Sequence, residues 1–253
     1  MPSYTTTGLV LHRLNTGETD KILTLFTREH GKLSVIAKGA RKAGSRTSGA
    51  TELFTETRFL LASGRSLEIV QQTEIQQSFP GIRTDLDKLA RATYLCELLD
   101  RLTAESDALQ SAELYDLLLS ALYLLQRAVT YPDAVVHAYE LHLLAAIGYA
   151  PALEQCVRCG EPLTGRQVGF SPALGGALCP ADRYRADDAQ SLSFDGLKLL
   201  RLLTATEPEQ LLALQPASKV AAEVARAMRW YIRYRADRDL KSLEFLDSLR
   251  MTS

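Results

Sequence analysis

Four side chains in the second half of the chain have the spacing of a metal site. Cys156 and Cys159 form a C-x2-C knuckle, Cys179 lies twenty residues beyond it, and Asp182 stands where a second knuckle would place its last cysteine. Two such knuckles are typical of a structural zinc ribbon, and a carboxylate oxygen is an acceptable zinc ligand. The spacing predicts either a structural zinc held by three thiolates and one carboxylate, or three free thiols in a packed loop.

A cluster of positive charge forms a second candidate site. The chain has a net charge of −1, yet six basic residues and one acidic residue lie between Arg28 and Arg46, in and beside a glycine- and serine-rich stretch. We expect a flexible loop here, because glycine, serine and charged side chains interrupt the strand pattern. Such a loop can approach a phosphate backbone closely and release its counterions, whereas the alternative is a solvated surface turn. The candidate DNA-binding residues are Arg28, Lys32, Lys38, Arg41, Lys42 and Arg46.

A third cluster follows helical spacing near the C-terminus, over residues 217–235. Apolar residues recur on one face of this segment and basic residues on another, so it reads as an amphipathic helix. Its basic face is either simply solvated or a second anion site, which would hold more nucleic acid or the acidic tail of a partner protein. The residues of this face are Lys219, Arg226, Arg229 and Arg233.

No pattern in the sequence indicates catalysis. The chain has no phosphate-binding G-x-x-x-x-G-K-[ST] loop, no dinucleotide-binding G-x-G-x-x-G motif and no G-x-S-x-G elbow. Its four histidines are scattered, and His137 and His142 are five residues apart, which does not place them on one helical face. We therefore predict a binding protein and not an enzyme.

The candidate DNA-binding loop interrupts a series of short strands. Residues 8–14, 21–27, 32–38, 51–62 and 66–75 have strand character and are separated by turn residues. Five strands in so short a segment fit a small closed barrel, because closure removes exposed sheet edges. The first 80 residues are therefore predicted to form a five-stranded OB-type β-barrel, and Phe26, Phe54 and Phe59 to lie in its core.

Near residue 80 the apolar period changes from that of a strand to that of a helix. Helical segments are predicted over residues 82–94, 112–127, 132–147, 194–204, 207–214, 217–235 and 240–249. The predicted fold is a multidomain α+β protein. The barrel of residues 1–80 precedes an all-α domain of residues 81–253, with a zinc-finger-like, zinc-ribbon-like module inserted at about residues 153–187.

Composition excludes several other classes of protein. An apolar fraction of 46% in 253 residues excludes a disordered chain, and four cysteines do not make a disulfide scaffold. No apolar run approaches the length of a membrane span, and the polar N-terminus does not read as a secretory signal. The expectation is a soluble cytoplasmic protein with no membrane partner.

Short segments of the chain also resemble a known family. They are residues 8–11 (GLVL), 17–22 (GETDKI), 25–27 (LFT), 30–33 (HGKL) and, most specifically, 37–42 (AKGARK). Together with a C-x2-C module in a helical domain, they are similar to the RecO family of bacterial recombination mediators. The resemblance implies an OB fold, a helical domain with a zinc-finger-like insertion, and a non-enzymatic activity.

Proteins of this family bind single- and double-stranded DNA, anneal complementary strands and partner RecR. They help displace single-strand-binding protein (SSB) so that RecA can load, which implies association with the nucleoid during repair. The resemblance further implies that the helical domain receives the acidic, apolar C-terminal tail of SSB. Asp182 departs from the family's frequent four-cysteine set. The competing interpretation is a protein–protein adaptor whose zinc ribbon is the docking face and which has no direct DNA role.

Overall fold

The computed structural model describes residues 3–64, 66–103, 110–236 and 240–252, with side chains described as far as residue 246 in the last range. The chain packs as two compact units. The first comprises residues 1–126 and 241–253, and the second comprises residues 127–240.

A closed five-stranded barrel begins the first unit. Its strands are β1 (Ser3–Thr16), β2 (Asp20–Thr27), β3 (Gly31–Ala37), β4 (Glu56–Ala62) and β5 (Glu68–Gln77). They pair in the order β1-β2-β3-β5-β4, and β4 closes the barrel against β1. The β3–β5 pairing is parallel, and all the other pairings are antiparallel. This confirms the predicted OB-type barrel.

The barrel interior is filled by alternate side chains of its strands, as the two-residue period predicts. Phe26, Phe54 and Phe59 are all buried, which confirms that they belong to the core and are not exposed platforms for base stacking. The core cluster consists of Val10, Leu23, Leu25, Val35, Ala37, Ala40, Phe59 and Leu61. One member, Ala40, comes from the loop after β3 and not from a strand.

Two strand boundaries differ from the predicted ones. β1 begins at Ser3 and not at residue 8, because its polar first half pairs with β4 and buries the Thr6 hydroxyl, which donates to Glu29 Oε2 at 2.7 Å. β4 begins at Glu56 and not at residue 51, because a 3₁₀ turn occupies residues 49–51 and Phe54 has a left-handed φ of 64°. Neither tertiary pairing nor a positive φ at phenylalanine is visible in local residue patterns.

Four helices complete the first unit. They are α1 (Pro80–Arg83), α2 (Leu86–Leu102), α3 (Ser111–Arg127) and, from the other end of the chain, α7 (Lys241–Thr252). Asp85 caps α2 by accepting hydrogen bonds from the backbone of Asp87 and Lys88. The start of α7 is held on α2, because the Glu97 carboxylate accepts the backbone N–H of Ser242 at 2.8 Å.

The second unit combines helices with a small sheet. Its helices are α4 (Asp133–Ala146), α5 (Phe194–Ala205) and α6 (Ser218–Ala236), and its strands are β6 (Gln167–Ser171), β7 (Gly176–Leu178) and β8 (Gln190–Ser193) in the order β7-β6-β8. The module predicted at about residues 153–187 therefore contains strands, which are too short to show a period. The helix predicted at residues 207–214 is instead a 3₁₀ helix, Pro208–Ala213.

Among the residues that the structure describes, none of the helices combines the length and apolar character needed to cross a membrane.

Candidate nucleic-acid interface and metal centre

The basic loop, residues 38–49, is a succession of tight turns. Four backbone N–H groups each donate to the carbonyl three residues earlier, at 3.0–3.3 Å. The pairs are Lys42 to Gly39, Ser45 to Lys42, Ser48 to Ser45 and Thr51 to Ser48. These bonds repeat every three residues and lead into the 3₁₀ turn before β4. The loop therefore has a defined backbone path.

Four of the six predicted DNA-binding side chains lie on this loop and are exposed. They are Lys38, Arg41, Lys42 and Arg46. None of the four side chains forms a hydrogen bond or an ion pair with any residue that the structure describes. Between them, Ala40 is fully buried in the barrel core. The turn around Ala40 thus anchors an apolar methyl group while its charged neighbours remain in solvent.

Both ends of the basic loop are fastened to the start of β2. At the first end, Gly39 donates its backbone N–H to Asp20 Oδ1 at 2.8 Å. At the second end, the buried Lys21 ammonium donates to Thr51 Oγ1 at 3.1 Å and to Glu52 Oε1 at 3.0 Å. Two consecutive residues of one strand therefore hold the two ends of the loop, although nothing in their sequence positions indicates this.

The surroundings of Asp20 favour its charged form. The hydrogen bond from the Gly39 backbone lowers the pKa of the Asp20 carboxyl and outweighs the opposing effect of burial, and a hydrogen bond from Thr19 and the charges of Lys38 and Lys42 lower it further. The carboxylate consequently remains an acceptor for the loop at neutral pH.

The other two predicted DNA-binding residues have protein partners. The Lys32 side chain is only 9% exposed, and its ammonium lies 3.0 Å from Asp100 Oδ1 and donates to the Thr103 carbonyl at 2.7 Å, so it attaches β3 to α2. Arg28 pairs with Asp116 of α3 at 2.8 Å and is half exposed. The structure thus places four of the predicted residues on one loop, namely Lys38, Arg41, Lys42 and Arg46. Arg28 and Lys32 are instead bonded to residues of α3 and α2.

The basic face of α6 is present as a helical surface. Lys219, Arg226 and Arg233 are exposed, and Arg229 is half buried. Exposed aromatic side chains lie next to this face, since Trp230 is 36% and Tyr234 is 50% exposed. The opposite face, with Val224, Met228 and Tyr231, is fully buried. The surface of α6 therefore combines cationic and aromatic groups, a combination that the amphipathic period alone did not identify.

The four predicted metal ligands come together in the second unit. The thiol sulfurs of Cys156, Cys159 and Cys179 and a carboxylate oxygen of Asp182 all lie within 4.8 Å of one another. The Cys159 and Cys179 sulfurs are 3.9 Å apart, and Asp182 Oδ2 lies 3.5 Å from the Cys156 sulfur and 3.6 Å from that of Cys179. This cluster can hold a metal ion.

These separations can be compared with those of a zinc site. Tetrahedral zinc with Zn–S bonds of about 2.3 Å and a Zn–O bond of about 2.0 Å places two sulfurs ~3.8 Å apart and a sulfur and an oxygen ~3.5 Å apart. The three separations given above lie close to these values, and all four donors lie within 4.8 Å of one another, so they are near enough to share one metal ion.

Local backbone geometry favours a thiolate at Cys156, the first cysteine of the knuckle. Gly160 has a φ of 75° and donates its N–H to the Cys156 carbonyl at 2.9 Å, which closes the turn of the C-x2-C motif. Burial raises the pKa of the Cys156 thiol, but backbone hydrogen bonds from Cys179, Cys159 and Arg158 outweigh burial and lower it overall. Cys156 is therefore suited to a deprotonated sulfur. At Cys159 the backbone hydrogen bond from Glu161 lowers the pKa of the thiol, but hydrogen bonds with Asp182 and Cys156 outweigh it and raise that pKa to about 12.

The two carboxylate oxygens of Asp182 have different partners. Oδ2 faces the thiols, whereas Oδ1 lies 3.2 Å from the guanidinium of Arg185, which follows in a 3₁₀ turn, Arg183–Arg185. Hydrogen bonds from Cys159 and the other thiols, together with the charge of Arg185, lower the pKa of Asp182. Arg185 orients the carboxylate from outside the cluster, a role that ligand spacing did not reveal.

Comparison with known proteins agrees with this architecture. Residues 1–79 match the family model described as Recombination protein O N terminal, and residues 83–244 match that described as Recombination protein O C terminal. The chain is 39% identical over 252 residues to the DNA repair protein RecO of Symbiobacterium thermophilum, with 99% of each chain covered. It is 40% identical over 254 residues to that of Roseiflexus sp., covering 98% of this chain and 86% of the relative.

A more distant relative is covered equally well. The DNA repair protein RecO of Bifidobacterium adolescentis is 34% identical over 249 residues, which cover 98% of this chain and 100% of the relative. Matches of this extent to both halves and to full-length relatives show that the chain belongs to the RecO family.

Proposed function

We propose that this protein is a non-enzymatic recombination mediator in DNA repair, which binds single- and double-stranded DNA and anneals complementary strands. The observation that carries the proposal is the basic loop, where Lys38, Arg41, Lys42 and Arg46 are exposed and make no ion pair with any described side chain. Such side chains can neutralise phosphates and release counterions without first breaking protein contacts. Family membership and the relatives' names support the same conclusion.

Phosphate contacts also suggest how annealing would proceed. Two DNA strands repel each other through their phosphates, and neutralisation of several phosphates on each strand lowers that repulsion while the bases stay free to pair. Contacts to phosphate carry little sequence information, so the protein would act on any sequence. No bond is made or broken in this mechanism, which is why no catalytic group is required.

The salt dependence of DNA binding tests the basic loop directly. The variant Lys38→Ala, Arg41→Ala, Lys42→Ala, Arg46→Ala should bind single-stranded DNA more weakly on every sequence. The slope of log affinity against log salt should fall by up to ~0.7 for each lost phosphate contact. Fluorescence anisotropy with a labelled oligonucleotide at several salt concentrations measures both quantities.

A matched control removes the same number of charges elsewhere. Arg101, Arg127, Arg166 and Lys198 are exposed and lie outside the basic loop. Their combined replacement by alanine should leave the salt slope nearly unchanged. Equal slopes for the loop variant and the wild type would reject the loop as the phosphate site.

A strand-annealing assay without nucleotide or added metal then distinguishes a mediator from an adaptor that has no DNA role.

We also propose partners for the helical part of the chain. The exposed arginines of α6 lie beside Trp230 and Tyr234, and such a surface suits a peptide with both carboxylates and apolar side chains. The SSB tail has this composition, so α6 is the proposed tail site. With RecR, the protein would then help load RecA onto SSB-coated single strands. This activity places it in the cytoplasm, at the nucleoid during repair.

The metal proposed for the Cys156–Asp182 cluster is zinc in a structural role. The four donors have sulfur and oxygen chemistry that zinc accepts, and three of their separations are close to those of a tetrahedral site. When bound, zinc would cross-link the knuckle at Cys156 and Cys159 to the turn at Cys179 and Asp182, and thereby stabilise the small module.

A further inference from the structure

An acidic side chain, Asp20, is bonded to the basic loop of the barrel. Asp20, at the start of β2, accepts the Gly39 N–H at 2.8 Å, and the preceding residue, Thr19, accepts the Arg41 N–H through its carbonyl at 2.8 Å. Two consecutive residues of the β1–β2 turn therefore bind the backbone of the basic loop on either side of Ala40. An acid at this place would be unfavourable for DNA binding if its only effect were its charge.

The two contacts determine which way the loop residues face. Gly39 has a φ of 66°, a conformation that turns the chain sharply, and Ala40 then enters the barrel core. Because Ala40 is fixed inside, Lys38 and Arg41 on its two sides are exposed. The aliphatic part of Lys42 packs over Gly39. A Cβ atom on that glycine would lie 3.5 Å from Cδ of Lys42. The first turn of the loop thus depends on the Gly39 conformation that Asp20 holds.

We propose that Asp20 is a positioning residue for phosphate binding, whose carboxylate holds the basic loop in the conformation that exposes Lys38, Arg41 and Lys42. This inference rests on the proposed DNA-binding function and assigns a role within the same site. Asp20 does not contact DNA in this proposal. It acts through the backbone of the loop, by reducing the conformational freedom that binding would otherwise have to remove.

Variants of equal net charge separate this role from simple electrostatics. Asp20→Asn and Asp20→Ala both remove the negative charge, but only asparagine keeps a side-chain oxygen that can accept the Gly39 N–H. Glu18→Ala removes one negative charge from the same turn at an exposed side chain, for which no described contact to the loop is present. If charge alone mattered, all three variants would bind DNA more tightly than the wild type.

The proposal predicts a different order of affinities. Asp20→Asn and Glu18→Ala should bind single-stranded DNA as tightly as the wild type or more tightly. Asp20→Ala should bind about five- to tenfold more weakly than Asp20→Asn, because only a fraction of its loops would be in the competent conformation. Anisotropy with the same labelled oligonucleotide at one salt concentration gives the ratio, and circular dichroism shows whether each variant is folded. Equal affinities for Asp20→Ala and Asp20→Asn would overturn the proposal.

A second measurement needs no DNA. Trypsin cleaves after lysine and arginine, so cleavage at residues 38, 41, 42 and 46 reports how readily the loop leaves its turns. Cleavage should be several-fold faster in folded Asp20→Ala than in Asp20→Asn, Glu18→Ala or the wild type. If Asp20→Ala does not fold, hydrogen exchange in the wild type decides instead. Protected Gly39 and Arg41 amides would support the proposal, and freely exchanging amides would reject it.

These results distinguish two kinds of failure. If the wild type does not bind DNA, or if the fourfold loop variant binds as well as the wild type, the proposed function itself fails. If the wild type binds DNA through the loop but Asp20→Ala and Asp20→Asn are equal in affinity and in cleavage, only the role of Asp20 is rejected.

Discussion

The carboxylate of Asp182 illustrates how one residue can occupy a ligand position and be oriented at the same time. Its Oδ2 atom faces the thiols of Cys156 and Cys179, while its Oδ1 atom is held by the guanidinium of Arg185 at 3.2 Å. A carboxylate that is fixed on its outer side loses less freedom when its inner oxygen binds a metal. If Asp182 is a ligand, as proposed, this arrangement would offset part of what a fourth cysteine would add.

Two different replacements of Asp182 should change the affinity of the cluster for metal in opposite directions. Asp182→Cys completes a four-thiolate set and should retain zinc more strongly against a chelator, whereas Asp182→Ala should lower zinc affinity by about tenfold or more. Metal content by mass spectrometry and release to a chromogenic chelator measure the difference. A cysteine variant and an alanine variant that release metal at the same rate as the wild type would show that Asp182 is not a ligand.

At the scale of single residues, sequence spacing identified the four side chains that the structure brings together as a possible metal site, because a C-x2-C knuckle is a local motif. It did not identify Arg185 or Asp20, since the importance of each depends on which oxygen or backbone N–H a fold brings beside it. Charge alone also could not separate Lys32 from Lys38. Lys32 is bonded to α2 and Lys38 is exposed, although the first lies in β3 and the second directly follows that strand.

At the scale of secondary structure, α6 is the element whose exposed surface leads to a binding prediction. Its buried face follows the apolar period, and its exposed face adds Trp230 and Tyr234 to the predicted cations. Hydropathy predicts which face of a helix is buried, but it does not indicate what the exposed aromatic side chains are for.

The proposed tail site on α6 can be tested with a peptide that has the sequence of the SSB C-terminus. Lys219→Ala, Arg226→Ala, Arg233→Ala should bind this peptide about tenfold more weakly, because three exposed ion pairs at ~0.5 kcal/mol each amount to about that factor. Isothermal calorimetry measures the affinity. The control is Arg101→Ala, Arg127→Ala, Lys198→Ala, which has the same net charge and leaves α6 intact. No binding to the wild type, or equal loss in both variants, would remove α6 as the site.

At the scale of the whole molecule, the barrel is closely joined to the first helices. Tyr115 of α3 donates to Glu56 Oε1 of β4 at 2.7 Å, and Arg83 of α1 donates to Thr55 Oγ1 at 2.8 Å. Lys32 of β3 binds the end of α2. Barrel and helices therefore form one compact unit to residue 126, whereas the family models meet near residue 80. The predicted domain boundary at residue 80 remains a prediction.

The thermal stability of an isolated barrel tests that boundary. A fragment of residues 1–80 loses the partners of Lys32 and Glu56, and each lost hydrogen bond to a charged group costs about 1.5–3 kcal/mol. For a barrel of this size, such a loss lowers the melting temperature by at least ~10 °C. Melting curves of the fragment and the full chain, followed by circular dichroism, measure the difference. A fragment that melts cooperatively at the temperature of the full chain would show that the barrel is an independent domain.

The amino-acid sequence by itself determined the five-stranded barrel, the helices and the four side chains of the candidate metal site. Each depends on a period or spacing of neighbouring residues, and local geometry follows from such patterns. The tertiary structure decided which charges are available. Lys32 and Lys21 are bonded within the protein, while Lys38, Arg41, Lys42 and Arg46 face solvent on a loop held by Asp20. Chemically identical side chains acquire different roles because their partners come from residues distant in the sequence.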